Sequence, residues 1–252
     1  MTAVPLAPAR TAFLLRLDPL AKIAAALPAM IALVFVRDLA TPGTFLVVAY
    51  VLLVCGAPLS ARLFVLLGAV VPLAVVVVGL GFAVWVDPSI GGHPVVRIGD
   101  WALTDAALSD GFATGLRLAA IMTLAFLGGL TTGGTDLVRA LVQHLRVPYR
   151  IGYAALAAIR FVPRFGRELE VIRQAHRVRG VGGFAPTRWI RTVVPLLAGA
   201  IRHAERVALA MDARAFGAHA DRTERRVVPW RRRDTVFVLA FWLLSAAVFV
   251  VA

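Results

Sequence analysis

The sequence predicts an all-α integral membrane protein with about five transmembrane helices and a large cytoplasmic module of long amphipathic helices. Three observations lead there. The 252 residues are 60% hydrophobic with a mean hydropathy of +0.83. A soluble domain is about 45 to 50% apolar, so a bilayer has to supply part of the solvent. The basic residues are segregated: 20 of the 27 lie from Arg139 to Arg233, and the others are Arg10, Arg16, Lys22, Arg37, Arg62, Arg97 and Arg117. Within that basic stretch apolar residues recur in steps of three and four, the period of a helix with one apolar face.

Five segments are long and apolar enough to cross the hydrocarbon layer, which takes about 17 to 25 residues: 20–36, 44–59, 63–86, 106–130 and 235–252. The first two are near the lower limit. Asp18-Pro19 opens the first span, with the aspartate as side-chain cap and the proline at the first helical position, where a missing N–H costs nothing. No small-residue cleavage site closes this run before Arg37-Asp38, so it reads as a retained span. With a cytoplasmic N-terminus, 24 basic residues fall inside, only Arg37 and Arg97 fall outside, and Arg117 lies within a span. The opposite orientation would put the basic module outside, against the retention of Lys and Arg on the inner side. Five crossings then leave the C-terminus outside. The chain divides into a membrane region (1–130, four spans), the basic module (131–234) and a last span (235–252).

Arg117 is the one charge deep in a span, with Asp110 seven residues earlier on the same helical face. Gly111 and Gly115 form a Gly-x-x-x-Gly pair that lets another helix approach closely. Structural packing is the preferred reading of this cluster, because one arginine without a chain of acids makes a poor ion path. The loop 87–105, with Gly91-Gly92 and Val95-Val96-Arg97-Ile98, reads as a connector or a short ribbon on the outer surface, the connector being preferred. His93 in that loop has no second ligand at metal spacing. Cys55, the single cysteine, is expected to be a small core residue and excludes an intramolecular disulfide.

In the basic module, Gly133-Gly134 interrupts the fourth span, and Thr135 and Asp136 suit the start of a short helix that ends before Pro148. Next, Ile151, Ala155, Ala158, Val162, Phe165, Leu169 and Ile172 trace one seam, continued by His176 and Arg179. Pro163 is expected to bend this helix, and 181–186 to form a turn. A last helix from Pro186-Thr187 carries a second seam: Ile190, Val194, Leu197, Ile201, Ala204, Ala208, Met211 and Ala215. The two helices end in similar tripeptides, Val178-Arg179-Gly180 and Ala213-Arg214-Ala215. An arginine at a helix C-terminus complements the dipole by about 0.3 to 1 kcal/mol. That suffices for Arg188, Arg191, Arg222, Arg225, Arg226 and Arg231 to Arg233, read as solvated or headgroup-facing. The recurrence of Arg179 and Arg214 at the ends of two like-patterned helices suggests a paired docking device, each guanidinium entering a pocket of carboxylates and carbonyls.

The net charge of +13 would suggest nucleic acid in a soluble protein, but basic residues that abut apolar spans fit lipid headgroups and an acidic or polar protein partner. No Gly-x-x-x-x-Gly-Lys-Ser/Thr phosphate loop occurs and the only lysine is Lys22, so any ATP is bound by another chain. A self-contained permease would be expected to carry ionisable groups in several spans and an internal repeat. An intramembrane lipid-modifying enzyme would cluster aspartates or a His-Glu set near the interface. Neither pattern is present, and His144, His176, His203 and His219 have no common ligand spacing, so surface or interface packing is their expected role.

Arg16-Leu17-Asp18-Pro19 with Lys22, Leu130-Thr131-Thr132 with Asp136-Leu137 and Ala140-Leu141, Arg160-Phe161-Val162-Pro163, Gln174-Ala175 with Arg179-Gly180, and Ala204-Glu205-Arg206 with Ala208, Met211 and Ala213-Arg214 resemble the transmembrane T component of energy-coupling factor (ECF) transporters. The resemblance covers nearly the whole chain and is strongest over 130–217. It implies that two Ala-Arg-Gly motifs, here Val178-Arg179-Gly180 and Ala213-Arg214-Ala215, dock into grooves of two cytoplasmic ABC ATPase subunits. The sequence departs from the pattern at Val178 and Ala215, with Gly217 two residues further on. The resemblance further implies a subunit that is not itself an enzyme and binds no cofactor, ATP and Mg being held by the ATPases. Helix faces that include Phe165, Leu169, Ile172, Ile190, Val194, Leu197, Ile201 and Ala204 would tilt a membrane-embedded substrate-binding S component, for uptake of a vitamin or a transition-metal ion across a prokaryotic cell membrane. The partners implied are those two ATPases, the S component and the lipid bilayer, and no nucleic acid.

Overall fold

The computed structural model describes residues 13–57, 64–85, 93–98, 101–180, 185–219, 224 and 226–251. Arg10, Arg62, Gly91-Gly92, residues 181–184 of the expected turn over 181–186, Arg222 and Arg225 lie outside them, while 185 and 186 already belong to a helix. The elements are α1 (Pro19–Phe35), α2 (Ala40–Gly56), α3 (Leu66–Trp85, entered through a π-helical turn over Leu66–Val70), β1 (Pro94–Ile98), β2 (Trp101–Thr104), α4 (Asp105–Gly129), α5 (Gly134–His144), α6 (Tyr149–Val178), α7 (Ala185–Asp212) and α8 (Arg232–Val251). Among the described residues the fold is all-α apart from β1 and β2, which pair antiparallel, a ribbon where the sequence favours a plain connector. The ribbon closes because Asp105 and His93 exchange bonds: the Asp105 amide donates to the His93 carbonyl (3.1 Å) and the His93 amide to Asp105 Oδ1 (3.0 Å).

Two compact units result: residues 1–133 with 229–252, and residues 134–228. In the first, α3, α4 and α8 are long and apolar enough to cross a membrane, while α1 and α2 are apolar but 17 residues each, about 26 Å at 1.5 Å per residue. Asp18 caps α1 as its sequence suggests, accepting from the Leu20 amide at 2.8 Å. The interior combines a row of alanines with a few large side chains. Ala21, Ala25 and Ala29 of α1, Phe45, Ala49 and Leu53 of α2 and Ala120, Leu124 and Leu127 of α4 belong to one buried core, in which α4 packs on both α1 and α2. Large side chains such as Val34, Val47, Val77 and Leu243 point outward. That is the arrangement of helices in lipid, where packing rather than hydrophobic exclusion holds helices together and small residues bring backbones close.

The Gly-x-x-x-Gly pair does this against α3. A Cβ on Gly111 would stand 2.4 Å from the Gly79 carbonyl oxygen, and one on Gly115 2.8 Å from that of Val75. Arg117 is half-buried on the same helix, its Nε enclosed without a hydrogen-bond partner, and no ion pair joins it to the exposed Asp110 among the described residues. Cys55 corrects the sequence expectation: it is exposed on α2 rather than in the core. An apolar run does not distinguish a lipid-facing from an inward-facing position, since both are apolar.

In the second unit, α5 packs on the start of α6 and α6 packs on α7. Gly152 of α6 sits where a Cβ would collide with Val142 Cγ2 at 2.2 Å, and Ala140 and Leu156 are buried. Helix α6 is continuous through Pro163 and α7 through Pro195.

Candidate docking site

At both basic helix ends an arginine precedes a residue in the left-handed region whose amide bonds back to the carbonyl three residues earlier. At the end of α6, Arg179 is the capping residue and Gly180 follows in the left-handed region at φ 63°. The Gly180 amide donates to the Arg177 carbonyl (3.1 Å) and the Arg179 amide to that of Ala175 (3.1 Å). At the end of α7, Arg214 holds the same position relative to a left-handed Ala215 at φ 53°. There the Ala215 amide donates to the Asp212 carbonyl (2.9 Å) and the Phe216 amide to the Met211 carbonyl (3.0 Å), the paired bonds of a Schellman motif. So the departure of Ala215 from the glycine pattern leaves the geometry intact: the alanine takes the backbone conformation that glycine would take.

Arg179 and Arg214 are both exposed. Neither makes an ion pair among the described residues, whereas the neighbouring Arg177 is held by Glu170 at 3.1 Å. Each therefore presents a rigid planar fork of donors beside the carbonyl-rich end of a helix, suited to a carboxylate or to backbone carbonyls. Val178 before the first arginine and Ala213 before the second are exposed as well.

The end of α7 is tied down by contacts that the sequence gives no sign of. Tyr149 Oη donates to the His219 carbonyl (2.7 Å), Arg150 Nη2 to the Gly217 carbonyl (2.8 Å) and Tyr153 Oη to Glu224 Oε2 (3.2 Å). The rings of Tyr149 and Tyr153 meet Phe216 edge-on at 5.6 and 6.0 Å. Tyr149, Tyr153, Phe216 and His219 border a cavity of about 480 Å³ that Arg160 and Arg214 also line. Two segments about 70 residues apart in sequence are thus clasped together.

The two seams separate in the structure. On α7, Ile190, Val194, Leu197, Ile201 and Ala204 are all exposed, forming an apolar row. The contact with α6 uses a different face: Leu196 is buried, a Cβ on Gly199 would meet Glu168 Oε1 at 2.2 Å, and His203 stacks on Phe161 with centroids 4.6 Å apart and 14° between planes. On α6 the row is mixed. Ile151, Ala158 and Val162 are exposed, while Phe165, Leu169 and Ile172 are partly covered. His176, one turn before Arg179, is partly covered with its Nδ1 enclosed and unpaired.

The fold and the site define a class: a helical membrane protein whose second unit presents two arginine-ended helices and an exposed apolar row. Comparison with known proteins gives the same class: residues 10–224 match the CbiQ family, described as cobalt transport protein. The chain is 30% identical to the energy-coupling factor transporter transmembrane protein EcfT of Bacillus selenitireducens, over 92% of this chain and 90% of that one. It is likewise 30% identical to EcfT of Listeria innocua, over 93% and 92%. A putative ABC transporter ATP-binding protein of Bifidobacterium longum is 29% identical over 62% of this chain, but over only 22% of its own length. The chain belongs to this family, the transmembrane T components of energy-coupling factor transporters.

Proposed function

We propose that this protein couples ATP hydrolysis by two cytoplasmic ABC ATPase subunits to uptake of a vitamin or a transition-metal ion, through a membrane-embedded S component. Arg179 with Val178 and Gly180 engages one ATPase, and Arg214 with Ala213 and Ala215 the other. Their equivalence carries the reading: each arginine precedes a residue in the left-handed region at a helix end, is exposed, and makes no ion pair among the described residues. The row Ile190, Val194, Leu197, Ile201 and Ala204 bears on the S component, with Phe165, Leu169 and Ile172 beside it. The chain crosses the membrane five times with its N-terminus inside, and ATP and Mg are held by the partners alone.

Removing one charged partner from a desolvated pair costs about 2 to 5 kcal/mol. Arg179→Ala or Arg214→Ala is therefore expected to weaken ATPase attachment at least tenfold, and the double variant to abolish it, while membrane insertion is unchanged. Co-purification of tagged protein from native membranes measures this. Leu197→Glu is the contrasting arm: it retains the ATPases and loses the S component, because a carboxylate cannot be buried in an apolar contact without a partner. Undiminished ATPase recovery with the double variant would remove the docking assignment.

A further inference from the structure

Docking makes no use of a buried polar network at the ends of three helices in the first unit. Lys22, the only lysine of the chain, is 2% exposed. Its Nζ donates to the carbonyl (2.9 Å) and to Oγ1 (3.0 Å) of Thr131, just past α4. Asp234 at the start of α8, 1% exposed, accepts from the Asp18 amide at Oδ1 (2.9 Å) and from the Arg231 amide at Oδ2 (2.8 Å). Asp18, also buried, caps α1, and Arg233 Nη2 donates to the Arg16 carbonyl. The network joins α1 to α4 through Lys22, and α1 to α8 through Asp18 and Asp234.

Its position along the chain gives it a mechanical meaning. The polypeptide leaves the first unit after Gly133, two residues beyond Thr131, and returns at Pro229, five residues before Asp234. Both covalent links to the second unit therefore start from this one network. Burying an ammonium and two carboxylates is costly, and an apolar joint of similar volume is often at least as stable, so gain in stability is a poor reason for it. What directional bonds from three helices add is fixed geometry: an apolar joint can slide, and a satisfied network cannot do so without leaving a buried charge unpaired.

We propose that Asp18, Lys22, Thr131 and Asp234 form a rigid mount that locks the two chain links together, so that a displacement of the second unit reaches the spanning helices as one movement. The coupling role of that displacement rests on the T-component reading, and the rigidity itself does not. The residues act by positioning, with no contact to solute or nucleotide.

The test uses the full-length chain in lipid nanodiscs with Cys55→Ser. Nitroxide labels are placed at Leu130→Cys and Val236→Cys, exposed positions beside the two links, and the distance distribution between them is read by electron paramagnetic resonance. The parent is expected to give one narrow distribution, Lys22→Met one at least twice as wide, and Lys22→Arg a width restored towards the parent. A lowered melting temperature with unchanged width would make the network merely stabilising and overturn the mount. Should Lys22→Met fail to insert, the uncharged variant Asp18→Asn/Lys22→Met/Asp234→Asn is read in its place by the same criterion. Failure of both to insert assigns the network to folding and also overturns it. Because this readout needs neither ATPase nor solute, its failure leaves the docking experiment standing, and failure of ATPase co-purification leaves the mount standing.

Discussion

Ala215 is the residue at which sequence pattern and structure are most usefully compared. The family pattern places glycine after the second arginine, and the structure gives the alanine there a φ of 53°. An L-residue in the left-handed region costs about 1 to 2 kcal/mol, offset by about 0.5 to 1 kcal/mol that glycine would lose in chain entropy. Ala215→Gly is expected to stabilise the end of α7 by about 0.5 to 1 kcal/mol, read as slower amide exchange at Phe216 and a slightly higher melting temperature. ATPase recovery should be unchanged, because Arg214 keeps its position. Lower stability would show that the surrounding clasp, rather than the backbone conformation, fixes this turn. Cys55 and Lys22 teach the opposite lesson about single residues. Both lie in apolar runs, yet one is exposed and the other is buried within hydrogen-bonding distance of Thr131. A run of apolar neighbours gives the depth of a residue in the bilayer and leaves its face undetermined.

At the level of elements, α3 and α4 are held by backbone approach. Val75, Gly79 and Ala83 of α3 lie against Gly111 and Gly115 of α4, and the sequence already contained half of this pattern in the glycine spacing. Overpacking a close contact costs about 1 to 3 kcal/mol, and here the side chain would meet main chain, which cannot rotate away. Gly115→Leu is therefore expected to lower the detergent melting temperature by several degrees, or to prevent insertion altogether. Gly81→Leu, on the same helix pair but with open space around it, should be neutral. Equal effects of the two substitutions would mean that lost chain flexibility matters more than the α3–α4 contact. The long helices α6 and α7 were legible from their three-and-four periodicity. Which of their apolar rows would stay bare was not, because periodicity marks every apolar face alike. The face of α7 that packs on α6 is set by Gly199 against Glu168 and by the stack of His203 on Phe161, neither of which belongs to an apolar seam.

For the whole molecule, the segregation of arginine supports the proposed orientation with the N-terminus inside. A cysteine-free background with Val95→Cys or Leu145→Cys, both exposed positions, separates the two sides. An impermeant maleimide is expected to label Val95→Cys in intact cells and Leu145→Cys only after the membrane is opened. The reverse pattern would invert the topology and place Arg179 and Arg214 outside, against the proposed docking to a cytoplasmic ATPase. The division into two units follows from the same chemistry: alanine- and glycine-lined packing belongs to the spanning helices, whereas charge-rich helices with one apolar face build the unit over residues 134–228.

Taken by itself, the sequence determined the positions of the apolar helices to within a few residues, the basic character of 134–228 and the two arginine-ended helices, because helix period, capping chemistry and charge are local properties. Only the tertiary structure decided which apolar faces are covered, how Tyr149, Arg150 and Tyr153 clasp the end of α7, and that Lys22, Asp18 and Asp234 form one buried network. These depend on partners as many as 216 residues apart, and the side-chain chemistry at either end is the same whether or not they meet.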